Sequence, residues 1–104
     1  MARQNRIGTH KTSVVHRNDW NVVTYHETDV VSFNDTMVQL DSGGWLTSTT
    51  KTRMNQTANQ FGLGFRVYQD KGVWWVRVED QTIKFSDGMI FNYRAGQTID
   101  QVTV

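Results

Sequence analysis

The sequence predicts an α+β domain: a strongly bent antiparallel β-sheet, or a small partly open barrel of about seven to eight strands, wrapped on one α-helix. Short runs rich in β-branched and aromatic residues alternate with turn signals at intervals of about eight to twelve residues, as in antiparallel meanders. A helical period occurs in one segment. The 104 residues contain no cysteine, and a chain of this length can bury a core without disulfides, so we expect a single β-rich domain, 1–104.

The first part of the chain predicts a basic arm followed by four strands. Residues 1–11 are polar and lack a period, which indicates the arm. Two β-branched runs separated by Arg17-Asn18-Asp19 predict a hairpin, and Asn34-Asp35 supplies a later turn. The predicted strands are 12–16, 21–26, 29–33 and 36–40.

A helix is predicted over 51–61, where apolar or small residues recur on one helical face. Thr49 or Thr50 is the expected N-cap, and Gly62 stands where a left-handed residue ends a helix. The residues that define the apolar face are Met54, Ala58 and Phe61, with Thr57 beside them.

The chain after the helix predicts strands again. In the predicted strand 73–78, Trp74 lies on one face, and Trp75 and Arg77 lie on the other. The first tryptophan is therefore expected inside and the second outside. Residues 95–104 alternate weakly and predict an edge strand or a tail. The other predicted strands are 65–68, 82–85 and 89–93.

Positive charge is concentrated in two regions, although the net charge is only +1. No acidic residue occurs from Ser42 through Gln69, while Lys51, Arg53 and Arg66 give that span a charge of +3. A second basic region precedes the first acid, Asp19, and contains Arg3, Arg6, Lys11 and Arg17. The two regions form one patch only if the fold brings them together.

The start of the predicted helix is a candidate anion site. Lys51 and Arg53 occupy the first turn, where a cation is unfavourable by about 1 kcal/mol or less unless an anion neutralises it. A phosphate would use the free N–H groups of the helix start and the nearby hydroxyls. The alternative is that both cations are solvated, with a carboxylate nearby. The candidate phosphate-binding residues are Thr47, Ser48, Thr49, Thr50, Lys51 and Arg53.

Two tryptophans are candidates for stacking on a ligand ring. Trp75 with Arg77 would combine a flat ring with a cation, which suits an unpaired base or a nucleotide. Trp45, directly before the hydroxyl run, is the second candidate. The alternative for each is burial: Trp75 against the helix or a second sheet, and Trp45 as a hydrophobic staple at the helix entrance.

The histidines give a weaker catalytic hypothesis. His10-Lys11-Thr12 and His26-Glu27-Thr28 are two His-x-Thr triplets, which resemble the local pattern of two-histidine phosphoesterases, where one histidine accepts a proton and the other donates one. The triplets lie too close together and the chain is too short for that duplicated fold. No residue spacing points to a metal site, and no cofactor is expected.

A longer resemblance runs from about Tyr25 to Phe91. The segment from Gly43-Gly44-Trp45 to Asn55-Gln56, then Gln60-Phe61-Gly62-Leu63-Gly64 and Val67-Tyr68-Gln69, resembles a family of small uncharacterised proteins encoded by bacteriophages. The resemblance implies viral origin and no particular mechanism. It leaves out the N-terminal arm and the tail beyond Tyr93.

Together these features favour a non-enzymatic binding protein that engages a phosphate-bearing ligand, either single-stranded nucleic acid or a nucleotide. The alternative is a protein that acts on a host or phage protein, as an inhibitor of host defence or as a virion component. No apolar run is long enough to span a membrane, and no signal peptide is visible, so host cytoplasm is the expected location. The oligomeric state stays open.

Overall fold

The computed structural model describes residues 11–93 and 97–99. Its elements in chain order are β1 (Thr12–Arg17), β2 (Trp20–Tyr25), β3 (Thr28–Phe33), β4 (Met37–Leu40), α1 (Ser48–Phe61), β5 (Phe65–Asp70), β6 (Val73–Val78), β7 (Gln81–Lys84), β8 (Met89–Asn92) and β9 (Gln97–Ile99).

The strands form two antiparallel sheets. The large sheet has the order β1-β2-β3-β4-β8-β9, and the small sheet has the order β5-β6-β7. The predicted α+β class is confirmed, with antiparallel strands packed on one helix; the described strands are divided between two sheets and close no barrel. The predicted edge strand within 95–104 corresponds to β9, which pairs with β8, and the rest of that tail lies outside the described residues.

The core lies where α1 meets both sheets. Met54 and Ala58 of the helix are buried, as their spacing predicts, and Thr57 beside them is buried too. Across the core, the ring of Phe65 in the small sheet meets the ring of Phe91 in the large sheet, with centroids 5.6 Å apart and nearly perpendicular planes. Stacked and edge-on aromatic pairs of this kind stabilise a core beyond the area that they bury.

The start of α1 differs from the prediction, and its end agrees with the prediction. The N-cap is Thr47, and its side chain accepts a hydrogen bond of 3.2 Å from the backbone N–H of Thr50. The predicted N-cap, Thr49 or Thr50, was therefore wrong, and the helix begins earlier. Gly62 ends the helix in the left-handed region at φ 67°, as predicted. Phe61, predicted on the buried face, is 40% exposed and packs on Phe33 at a centroid distance of 4.8 Å.

The hairpin between β5 and β6 is tighter than predicted. Lys71 and Gly72 both have positive φ, 54° and 80°, which is the geometry of a two-residue turn with a twist that matches the strands. The strand β5 therefore runs to Asp70, although the sequence predicts that it ends at Tyr68.

One side chain of the helix completes the edge of the small sheet. β5 is an edge strand, and the Asn55 side chain donates to the Val67 carbonyl at 2.8 Å and accepts from the Val67 N–H at 2.7 Å. A side-chain amide has one donor end and one acceptor end, so it satisfies both backbone groups of one strand residue. Asn55 therefore takes the place of a neighbouring strand at Val67.

We predict that Asn55→Ala lowers the free energy of unfolding by about 1–3 kcal/mol, because it leaves two backbone groups at a partly buried edge without partners. Urea titration of the variant measures this change. Thr52→Ala, one turn earlier on the same helix, is the control and should change stability by less than about 0.5 kcal/mol. Equal stability of Asn55→Ala and the wild type would show that the Asn55–Val67 pair does not hold the small sheet.

Candidate functional site

The hydroxyl residues predicted to bind phosphate do not form one surface. Thr47 and Ser48 are exposed, Thr49 is half-buried and Thr50 is fully buried. The Thr47 side chain is already an acceptor for the Thr50 N–H, and the two threonine hydroxyls lie 3.1 Å apart. Part of the predicted anion site is therefore used inside the protein to begin the helix.

Arg53 is turned into the protein and is only 8% exposed. Its Nε donates to Thr12 Oγ1 at 2.9 Å and its Nη1 donates to Gln56 Oε1 at 3.3 Å. The guanidinium lies over the ring of Tyr25, 5.4 Å from the centroid. These are neutral partners, and together they hold the cation between the helix and the large sheet.

Lys51 points to the other side of the helix, because residues two apart on a helix face nearly opposite directions. Its Nζ donates to Gln69 Oε1 at 3.0 Å and lies 5.4 Å from the centroid of a Trp74 ring. Within the described residues neither Lys51 nor Arg53 pairs with a carboxylate; the ion pair present there joins Arg17 to Asp29 at 3.3 Å. Arg3 and Arg6 of the second basic region lie outside the described residues.

Lys51 lines a groove between the helix and the edge of the small sheet, here called the α1–β5 groove. The groove has a volume of about 510 Å³. Arg66 and Tyr68 line it from the strand side, and Ser48 lines it from the helix side. The groove therefore keeps two of the predicted phosphate-binding residues, Ser48 and Lys51, and separates them from Arg53.

Aromatic and basic side chains gather on the outer face of the small sheet, away from the core. Strand pairing places Arg66 opposite Arg77 and Tyr68 opposite Trp75. Trp75 in turn is opposite Lys84 of β7. Alternation puts these residues on the face opposite to the buried Val67, Trp74 and Val76. We call this surface the outer face; it consists of Arg66, Tyr68, Trp75, Arg77 and Lys84.

Sequence patterns identify only part of the outer face. Alternation within β6 finds Trp75 and Arg77, and the structure places Trp75 half-buried and Arg77 exposed on the predicted side. The contributions of Tyr68 and Lys84 depend on which strands pair and in which register. That information is not local to any one strand.

A second groove surrounds Trp45, which is 65% exposed. This aromatic groove has a volume of about 650 Å³ and is lined by Lys11, Tyr25, His26, Glu27, Thr28, Trp45 and Thr47. It joins the start of β1, the β2–β3 turn and the loop before α1. The staple role considered for Trp45 does not fit this exposure.

The loop that carries Trp45 is held on both sides. Ser42 donates from its backbone N and its hydroxyl to Asp87 Oδ1, at 2.8 and 2.7 Å. On the other side Gly43, at φ +63°, lies so close to Thr28 that an added Cβ would come within 2.8 Å of Thr28 Cγ2. Only glycine fits this position, so the loop is fixed against the β2–β3 turn.

His10, one of the two histidines of the phosphoesterase hypothesis, lies outside the described residues. His26 lies in the β2–β3 turn with φ 58°, and its ring packs edge-on against Tyr25 at a centroid distance of 4.4 Å.

Within residues 11–93, no group of three or more His, Cys, Asp or Glu side chains is placed to hold a metal ion. None of the helical residues described here forms a segment long and apolar enough to cross a bilayer.

The chain belongs to a family of small proteins encoded by bacteriophages. The model of the Kyanoviridae Gp96 protein family matches residues 1–92. The match includes the basic N-terminal arm, so the narrower span expected from the sequence resemblance, about Tyr25 to Phe91, was wrong at its start. No curated protein and no solved structure matches the chain.

We predict that Arg53 is required for stability. Arg53→Ala should lower the free energy of unfolding by about 2–4 kcal/mol, because it leaves a cavity and removes the hydrogen bond to Thr12 that joins α1 to the large sheet. Arg53→Met, which keeps most of the side-chain volume, should cost less than Arg53→Ala. Chemical denaturation of both variants measures the difference; an unchanged stability of Arg53→Ala would mean that this cation is free for another role.

Proposed function

We propose that this phage protein binds single-stranded nucleic acid on the outer face of its small sheet, continued by the α1–β5 groove. The observation that carries the proposal is the strand register, which brings the cations of three neighbouring strands and two aromatic rings to one side of the sheet. The ligand class is the one expected from the sequence. The sequence predicted that the ligand contacts the helix start, whereas this proposal uses the outer face of the small sheet.

The chemistry of the outer face suits unpaired bases. Tyr68 and Trp75 are half-buried, so their rings have fixed positions and retain an accessible part. Each base has a planar face, and stacking on a protein ring contributes about 1–3 kcal/mol per base without sequence preference. In a duplex those faces are covered by neighbouring bases, so a stacking surface favours single strands.

The charges of the surface suit a phosphate backbone. Arg66, Arg77 and Lys84 are exposed on the outer face, and Lys51 continues the cationic path into the α1–β5 groove. One acid, Asp70, lies on the same face at the last position of β5, and Glu79 and Asp80 lie in the turn between β6 and β7. Cations that contact phosphates release bound counterions, which makes such binding salt-dependent.

A protein partner is the second candidate function. β1 is an edge strand of the large sheet, and its Val14 and Val15 are 45% and 41% exposed. An exposed edge with apolar side chains can pair with a strand of another protein. This candidate covers the roles in host inhibition or in the virion, and it uses a surface on a different sheet from the outer face.

We predict that the double variant Arg66→Gln, Arg77→Gln binds a labelled oligothymidylate of about 16 nucleotides at least about tenfold more weakly than the wild type at low salt. Fluorescence anisotropy measures the affinity. The slope of log K against log salt should become shallower by about 0.7 for each lost phosphate contact. Arg17→Gln, an exposed cation of the large sheet, is the matched control and should leave the affinity unchanged.

The stacking part of the proposal is tested with Trp75. Trp75→Ala should weaken binding of the same oligonucleotide, whereas Trp75→Phe, which keeps a ring, should retain most of the affinity. Absence of binding by the wild type at about 50 mM salt would contradict the nucleic-acid proposal. Equal loss for Arg17→Gln and for the double variant would show a non-specific charge effect in place of a site.

A further inference from the structure

The aromatic groove has the features of a small-molecule site, and it shares no residue with the outer face. We propose that it binds a mononucleotide, with the base stacked on the exposed indole of Trp45. This inference goes beyond single-strand binding and does not depend on it. The groove volume of about 650 Å³ falls within the range of about 300–1,000 Å³ that is usual for ligand sites.

The exposure of Trp45 is the first argument. A tryptophan is usually highly buried, and this one is 65% exposed although its backbone is fixed. The backbone N–H of Trp45 donates to the Ser42 carbonyl at 3.0 Å, and the backbone carbonyl of Trp45 accepts from the Thr47 N–H at 2.9 Å. The backbone that carries the indole is therefore ordered, and the indole leaves a large apolar surface for a ligand to cover.

The state of Tyr25 decides between a flat ring and a cation as the occupant. Aromatic grooves can also bind quaternary ammonium groups through the negative faces of their rings. Here the Arg53 guanidinium already lies 5.4 Å from the Tyr25 centroid. This resident charge repels a second cation at Tyr25, so a neutral ring is favoured over a cation as the occupant of the groove.

The rim of the groove supplies polar groups for the rest of a nucleotide. Lys11 offers a cation for phosphate, Glu27 offers acceptors for ribose hydroxyls, and Thr28 and Thr47 add hydroxyl groups. A phosphate close to Lys11 would neutralise that cation, and ribose hydroxyls close to Glu27 would donate hydrogen bonds to its carboxylate. A base alone would leave the cation at the rim unpaired.

The backbone of the rim is joined by a hydrogen bond between two residues with positive φ. Lys11 and His26 both have positive φ, 51° and 58°, and neither is glycine, asparagine or aspartate. They face each other, since the His26 N–H donates to the Lys11 carbonyl at 2.7 Å.

The test uses isothermal titration calorimetry of the full chain with AMP, GMP, CMP and UMP. At least one nucleotide should bind saturably. Trp45→Ala should weaken that binding at least tenfold, because the stacking surface is lost. The control is Leu46→Ala, which removes the neighbouring side chain, 58% exposed and outside the groove lining, and should change the affinity less than twofold.

The parts of the ligand are tested separately. Lys11→Ala should weaken binding of the nucleotide but leave binding of the matching nucleoside unchanged, since the nucleoside carries no phosphate. Ribose 5-phosphate, which has no base, should bind at least tenfold more weakly than the nucleotide.

Three results would overturn the inference. They are no heat of binding with any of the four nucleotides at millimolar concentration, equal binding of ribose 5-phosphate, or full affinity in Trp45→Ala with loss in the double variant Arg66→Gln, Arg77→Gln. The last result would place the nucleotide on the outer face. Loss of oligonucleotide binding with normal nucleotide binding would reject only the proposed single-strand function.

Discussion

One helix couples two sheets that share no backbone ladder. On one side of α1, Arg53 reaches Thr12 and the ring of Tyr25 in the large sheet; on the other side, Asn55 pairs with the backbone of Val67 in the small sheet. Apolar packing alone is not directional. These hydrogen bonds therefore fix how each sheet sits on the helix, and the two candidate surfaces depend on that arrangement.

The use of Arg53 in this coupling changes the meaning of the basic helix start. A cation in the first turn is unfavourable beside the helix dipole, yet Arg53 is turned away from the helix end and is surrounded by a hydroxyl, an amide and a ring. Lys51 also has internal contacts, with Gln69 and Trp74. The local excess of positive charge thus serves folding in part, and an anion is not needed to explain it.

The two candidate sites lie on different sheets and differ in chemistry. The outer face is an open surface of cations and half-buried rings, which suits a long ligand held at several points. The aromatic groove is a concave site with opposite charges at its rim, which suits one small ligand with a ring and a phosphate. The two proposed sites share no residue, so under both proposals one ligand is expected to bind without displacing the other.

Much of the fold could be predicted because its signals are local. Alternation places Trp74 inside and Arg77 outside, and Gly62 ends the helix where expected. The helix start was less predictable, since several hydroxyl residues in a row can each cap a helix. Burial of Arg53 was not predictable from hydropathy, because its partners Thr12 and Tyr25 come from distant positions in the chain.

The sequence by itself determined the class of the fold, the strand and helix types, and the concentration of positive charge near the helix. These follow from side-chain alternation, turn residues and composition, which act over a few neighbouring positions. Only the tertiary structure decided that Arg53 reaches Thr12, that Tyr68 and Lys84 join Trp75, and that Trp45 and Tyr25 line one groove. Each of these contacts depends on register or on packing between distant segments, and no short pattern carries that information.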